Sequence, residues 1–260
     1  MTGLLASVTD PVEAELALSA GADLIDCKDP SRGALGALPV AMINAIREQV
    51  GVRCPLSATA GDLPTEAASL IPAVRSIAAT GVDLVKLGLL QTAGISKTLL
   101  AIAPLAARHR LIAVLFADRS PPLSDIPNLA AAGFHGVMLD TANKSFGRLC
   151  DSMSADQLAD FVGLARAHQL LCGLAGSLEV RDIPELALLR PDYLGFRGAL
   201  CERERTSRLS VSACARVRGA LPRQVTPDKH SAAEWMSGHA DQRPATPNAK
   251  ADLEKESLLR

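Results

Sequence analysis

Lysine and aspartate side chains at or near the ends of short apolar runs are the residues of this sequence best suited to chemistry. Asp26 and Lys28 end one run, Lys86 lies in a second, and Asp140 and Lys144 follow a third. Burial of a lysine is costly because desolvation opposes its charge, and nearby ammonium groups lower one another's pKa. A neutral amine attacks carbonyl carbon, and a neighbouring carboxylate then transfers protons. The spacing therefore predicts Schiff-base chemistry, with a structural ion pair such as Lys28 with Asp26 as the alternative.

Two later segments predict a phosphate site. Gly176 and Ser177 end the seventh apolar run, and Arg197 and Gly198 end the eighth. Small residues allow backbone N–H groups to approach an anion, and an arginine adds charge-assisted hydrogen bonds. These four residues are the predicted ligands of a substrate phosphate, although glycines at such positions also serve tight turns.

Other classes of site and partner are disfavoured. The first apolar run is followed by no Gly-x-G-x-x-Gly segment, which argues against a dinucleotide. The histidines are dispersed and none ends an apolar run, so neither a metal nor a cofactor is expected. A net charge of −1 predicts no nucleic acid and no membrane surface as partner. Scattered cysteines without a Cys-x-x-Cys pair, and an N-terminus without a basic signal region, predict a cytoplasmic protein.

The elements that position these residues repeat along the chain. Near-continuous apolar runs are typical of parallel strands buried on both faces, and helical patterns separate them here. About eight such β-then-α units predict a closed α/β barrel, the (β/α)8 TIM barrel, in preference to an open doubly wound sheet. The predicted strands are Leu4–Val8, Leu24–Lys28, Pro55–Thr59, Leu84–Leu89, Leu111–Ala117, Gly136–Asp140, Leu171–Ala175 and Tyr193–Arg197.

The chain divides into one domain and a tail. Residues 1–222 carry the repeating pattern and form the predicted catalytic barrel. Residues 223–260 are rich in proline and in polar and charged residues without an apolar period, which predicts a disordered or loosely attached C-terminal tail. The sequence is compatible with a homo-oligomer.

Seven short motifs resemble those of one enzyme family, in order, over about residues 3–220. The sequence around Asp26, Lys28 and Lys86 and the segment Asp140-Thr141-Ala142 with Lys144 carry most of the likeness. The family is the (5-formylfuran-3-yl)methyl phosphate synthases of methanofuran biosynthesis. The other motifs are Gly33-Ala-Leu-Gly36, Ser57-Ala-Thr-Ala-Gly-Asp62, Cys172-Gly-Leu-Ala-Gly-Ser177 and Gly195-Phe-Arg-Gly-Ala199.

The resemblance implies a lyase with a mechanism like that of class I aldolases. Two molecules of glyceraldehyde 3-phosphate would condense, losing phosphate and water. The Schiff-base lysine falls on Lys28, a proton-transfer lysine on Lys86, and further site residues on Asp140 and Lys144. The segments 145–148 and 202–205 depart from the family pattern. Another Schiff-base aldolase acting on a phosphorylated aldehyde, an acid–base isomerase, or a phosphometabolite-binding barrel without covalent catalysis remain alternatives.

Overall fold

Eight parallel strands close into a barrel in sequence order, each hydrogen-bonded to the next and the last to the first. The computed structural model describes residues 2–90, 95–143 and 147–222. The predicted (β/α)8 barrel is confirmed. The strands are β1 (Gly3–Val8), β2 (Leu24–Cys27), β3 (Leu56–Thr59), β4 (Leu84–Gly88), β5 (Leu111–Phe116), β6 (Gly136–Asp140), β7 (Leu171–Leu174) and β8 (Tyr193–Phe196).

Helices follow the strands and cover the barrel. Two of them begin with a side-chain cap: Asp10 accepts a hydrogen bond from the backbone of Glu13, and Ser154 caps its helix in a capping box. The described helices are α1 (Pro11–Ser19), α2 (Val40–Val50), α3 (Ala67–Ala78), α4 (Ile95–Ala106), α5 (Ile126–Ala131), α6 (Leu149–Ser152), α7 (Ala155–Ala167), α8 (Ile183–Leu188) and α9 (Val211–Ala220).

Every described strand is buried along its whole length, because helices pack on one face and the barrel interior on the other. The larger apolar cluster lies between strands and helices and contains few aromatic side chains. A smaller cluster fills the barrel and includes Phe116, Met138 and Tyr193. Tyr193 occupies the space that a side chain at position 173 would need, since a Cβ at Gly173 would lie 2.2 Å from its ring.

The barrel occupies the described residues up to 222, within the predicted domain. The predicted tail, 223–260, lies outside the described residues. Among the helices that the structure describes, none is both long and apolar enough to cross a bilayer.

Candidate active site

A cavity of about 310 Å³ opens at the carboxyl ends of the strands, where barrels of this kind carry their active sites. Lys28, Asp140, Gly176, Ser177 and Gly198 all contribute to its lining. Four predicted strand ends, those of β2, β6, β7 and β8, therefore meet at one cavity, as the sequence predicts.

A larger groove, of about 670 Å³, lies on the outside of the barrel between α1 and α9. Its lining is mainly apolar, and Glu15 is the charged residue among the described residues that form it. The groove lacks the nucleophiles and cations of the barrel cavity, so the barrel cavity is the candidate active site.

Lys28 is the first residue beyond β2, and its side chain lies at the edge of the cavity. Its Nζ atom is 3.6 Å from Oδ2 of Asp140, and the side chains are 8% and 2% exposed. The other carboxylate oxygen of Asp140 accepts a hydrogen bond from the backbone of Thr141, which orients the group. An amine and a carboxylate are thus held side by side at the cavity wall.

Lys86 lies deeper, inside the barrel. Its Nζ atom is 2.7 Å from Oδ1 of Asp26, and these two side chains are 1% and 0% exposed. Ser7 and Ser57 donate hydroxyl hydrogen bonds of 2.9 and 2.7 Å to the same carboxylate. The strand register brings these groups together, because Ser7, Asp26 and Ser57 pair side by side on β1, β2 and β3.

Burial acts on both members of this inner pair. Burial lowers the pKa of Lys86, and the charge of Lys28 lowers it further, while Asp26 opposes both. Burial also opposes ionisation of Asp26, but the charges of Lys86 and Lys28 outweigh it and hold the pKa of that carboxyl below its ordinary value. Asp26 therefore stays ionised, and Lys86 is a weaker base than an exposed lysine.

The ion pairs differ from the one that the spacing along β2 offers as the alternative to Schiff-base chemistry. Asp26 pairs with Lys86 of β4, and Lys28 lies beside Asp140 of β6. The alternative pair of Lys28 with Asp26 is not formed, because Asp26 lies inside the barrel whereas Lys28 follows the strand and lines the cavity.

The loop after β7 has an unusual backbone. Gly176 has a φ angle of 116°, and Ser177 has a φ of 50°, in the left-handed region that a residue other than glycine rarely adopts. A Cβ at position 176 would lie 3.0 Å from Cγ2 of Thr141, which follows β6. Strained backbone of this kind clusters at ligand sites, and successive turned residues form anion-binding concavities.

Arg197 contributes to the lining of the cavity, but its side chain is buried and its guanidinium is engaged by protein acceptors. It forms a buried ion pair with Glu13 of α1. Its remaining donors bind the backbone carbonyls of Ser7, Arg205 and Ser207. All five N–H groups of Arg197 are donated to protein acceptors. Its guanidinium therefore supports the loop after β8, and its predicted binding of a phosphate stays a prediction.

Two residues that sequence reasoning passed over become visible here. Glu13, 184 positions from Arg197, also accepts from Thr9 and from the backbone of Leu209, tying the β1 and β8 loops together. Arg205 lines the cavity with Lys28 and Asp140. Its segment was noted only as a departure from a pattern, because nothing in the local sequence reports that the chain returns across the barrel mouth.

The loop that carries Lys144 begins at a fixed point. Asp118, after β5, accepts hydrogen bonds of 2.7 and 2.8 Å from the backbone of Ala142 and Asn143. On the far side, Arg148 pairs with Asp182 after β7. Lys144 itself lies outside the described residues, so its predicted role stays a prediction.

Comparison with known families agrees with this geometry. The model of the 4-HFC-P synthase family matches residues 4–218, which contain the cavity and all eight strands except Gly3, the first residue of β1. The chain belongs to this family. The match ends at residue 218, and the division of the chain at residue 222 stays a prediction.

Relatives cover most of the barrel. A protein of Methylorubrum extorquens named "Putative (5-formylfuran-3-yl)methyl phosphate synthase" is 52% identical over 76% of this chain and 82% of its own length. The (5-formylfuran-3-yl)methyl phosphate synthase of Methanocaldococcus jannaschii is 37% identical over 76% of this chain and 90% of its own. The family name denotes a synthase acting on a phosphate-bearing furan, so this family member is an enzyme.

Solved structures show the same fold at low identity. The 3-hexulose-6-phosphate synthase of Salmonella typhimurium matches with a TM-score of 0.62 and 16% identity, over 85% of this chain and 98% of its own. The phosphoribosyl anthranilate isomerase of Thermotoga maritima matches with a TM-score of 0.61 and 12% identity, over 84% and 97%. At these identities the likeness concerns the barrel alone.

Proposed function

We propose that this family member condenses two molecules of glyceraldehyde 3-phosphate into (5-formylfuran-3-yl)methyl phosphate, through a Schiff base on Lys28, for the synthesis of a methanofuran-type cofactor. The observation that carries the proposal is the position of Lys28: it lines the cavity beside a carboxylate and faces the same space as the β7 and β8 loops. The names of the relatives support the product.

The chemistry begins with the amine of Lys28. Its lone pair attacks the aldehyde carbon of one triose phosphate, and loss of the carbonyl oxygen as water leaves an imine. Asp140, 3.6 Å from the amine, is positioned to take up and return the protons of this step. The protonated imine then withdraws electrons from the neighbouring carbon, and removal of a C–H proton there gives an enamine.

The second triose loses its phosphate from C3 as a base removes the proton from its C2, which gives 2-hydroxypropenal. The enamine carbon adds to C3 of this enal, which forms the new carbon–carbon bond. The C2 hydroxyl oxygen of the same half then closes the ring on the imine carbon, and expulsion of the Lys28 amine and loss of the remaining hydroxyl as water give the furan. Over the whole reaction one phosphate and two molecules of water are released. Lys86 is suited to proton transfer in these steps, because burial lowers its pKa. Gly176, Ser177 and Gly198 supply small residues and backbone to hold a phosphate.

The test is to trap the imine. The protein is incubated with glyceraldehyde 3-phosphate and borohydride, and the reduced adduct is mapped by mass spectrometry. We expect the adduct on Lys28 and none in the variant Lys28→Arg, which keeps the charge but forms no imine. Lys97, exposed on α4, provides the matched control: Lys97→Arg should be labelled on Lys28 as the wild type is.

Two results would contradict the proposal. Consumption of substrate without modification of any lysine would exclude the Schiff base and favour acid–base isomerase chemistry. An adduct on Lys28 with an open-chain product, lacking the ultraviolet absorbance of a furan, would instead make the protein another aldolase of the same mechanism.

A further inference from the structure

Arg205 extends over the cavity from the loop after β8. A Cβ at Gly198, one of the residues expected to contact phosphate, would lie 3.7 Å from the Cβ of Arg205. The side chain is half-buried and lines the same cavity as Lys28 and Asp140. A cation is therefore present where the β7 and β8 loops meet the candidate nucleophile.

The backbone of Arg205 is held firmly from below. Its carbonyl accepts a 2.8 Å hydrogen bond from Nε of Arg197, and the carbonyl of Ser207 accepts another of 2.8 Å from the same guanidinium. Arg197 is in turn fixed by its buried pair with Glu13. Arg197, which the sequence predicts to bind the phosphate, thus supports the loop that carries Arg205.

The guanidinium of Arg205 is far less engaged than that of Arg197. Within the described part of the chain, it donates to one protein acceptor, the carbonyl of Gly33 after β2, at 3.1 Å in an exposed position. Burial lowers its pKa, and the carboxylates of Asp140 and Asp62 act in the opposite direction. Arginine remains charged under such a shift, and four of its five donors have no acceptor among the described residues and can bind a ligand.

We propose that Arg205 binds the phosphate group of the triose phosphate in this cavity and makes the site specific for phosphorylated aldehydes. A fork of N–H donors matches the oxygens of a phosphate, and the exposed bond to Gly33 is readily exchanged for one to the ligand. This inference deepens the proposed function, on which the identity of the substrate rests.

The test is the affinity for glycerol 3-phosphate, which has the phosphate of the substrate but no aldehyde. Calorimetric titration compares wild type with Arg205→Gln, Arg205→Lys and the control Arg208→Gln, an exposed arginine of the same loop. We expect Arg205→Gln to bind about 10- to 100-fold more weakly, as loss of charge-assisted hydrogen bonds implies. The affinity of Arg205→Lys should lie between those of wild type and Arg205→Gln, because lysine keeps the charge without the fork of donors. The affinity of Arg208→Gln should match that of wild type.

A second readout separates phosphate binding from a structural role. Borohydride trapping of unphosphorylated glyceraldehyde on Lys28 should proceed equally in wild type and Arg205→Gln, with unchanged melting temperatures. A side chain that only joins the β2 and β8 loops would, when removed, lower trapping of both aldehydes.

The failures are distinguishable. Equal affinity of wild type and Arg205→Gln for glycerol 3-phosphate, or no binding by wild type, would overturn the assignment of Arg205 and leave Lys28 untouched. Absence of any adduct on Lys28 would overturn the proposed mechanism, whereas a selective loss of glycerol 3-phosphate affinity in Arg205→Gln would still support the phosphate site.

Discussion

Replacement of Lys86 by methionine should destabilise the barrel strongly, because it leaves a carboxylate buried without its cation. Lys86 and Asp26 lie 2.7 Å apart and are 1% and 0% exposed. At an effective dielectric constant of about 20, that separation corresponds to an attraction of about 6 kcal/mol. Two serine hydroxyls remain on Asp26 after the change, and the carboxyl can take up a proton, which recovers part of this. We therefore expect a loss of about 3–5 kcal/mol.

The assay is urea unfolding at neutral pH, with the slope of each transition compared to verify that the unfolded states are alike. The chain offers a matched control in Arg53, which forms a pair with Glu15 at 2.8 Å but with side chains 49% and 42% exposed. Arg53→Met should cost about 1 kcal/mol or less, because water screens an exposed pair. The two pairs have nearly the same length, so burial is the variable.

The double variant Asp26→Leu/Lys86→Met completes the test. Apolar residues of similar volume often replace a buried pair at little or no cost, so the double variant should be more stable than Lys86→Met alone. A loss in Lys86→Met no larger than that in Arg53→Met would refute the reasoning. The reasoning would also be refuted if the double variant lost as much free energy of unfolding as Asp26→Leu and Lys86→Met lose together, since the two residues would then not interact.

Three further predictions concern other parts of the site. Glu13→Gln should cost about 3 kcal/mol or more in urea unfolding, because it leaves Arg197 buried without a counter-charge. The lowered pKa of Asp26 contributes stability above its ordinary value of 3.8, lost as the pH falls through the folded value, so unfolding of wild type and Asp26→Asn should converge in acid. Gly176→Ala should lower the free energy of unfolding by about 1–3 kcal/mol, because the φ of 116° at this position strains any other residue. Gly163→Ala is the control: it lies in α7 with nothing within 4 Å of the new Cβ and should raise the free energy of unfolding by about 0.5–1 kcal/mol.

The barrel was predictable because its signal is local and repeated. Each strand is a short apolar run, and each predicted run agrees with the structure to within about one residue at either end. The ends of such runs lie on one rim in any closed parallel barrel. Knowledge of the fold class was therefore enough to bring Lys28 and Asp140 together without knowledge of any contact.

The pairing of side chains within the rim was not predictable, because it depends on register and on contacts across the barrel. Asp26 meets Lys86 from two strands away, and Glu13 meets Arg197 across the junction of the first and last strands. The alternation of side chains along a strand predicts which face of the sheet a residue occupies, but not which side chain of another strand will reach it. For this reason the sequence could not show that the guanidinium of Arg197 is engaged by Glu13 and by backbone carbonyls.

The different depths of the two lysines suggest a division of labour. Lys86 is the third residue of β4 and lies inside the barrel, whereas Lys28 is the first residue after β2. A nucleophile must reach a carbonyl carbon, which only the residue at the cavity wall does. The inner lysine, held by Asp26 below the cavity, contributes its charge and its lowered pKa without competing for the aldehyde. One lysine inside the barrel and one at its rim is thus the arrangement that the proposed imine on Lys28 alone would use.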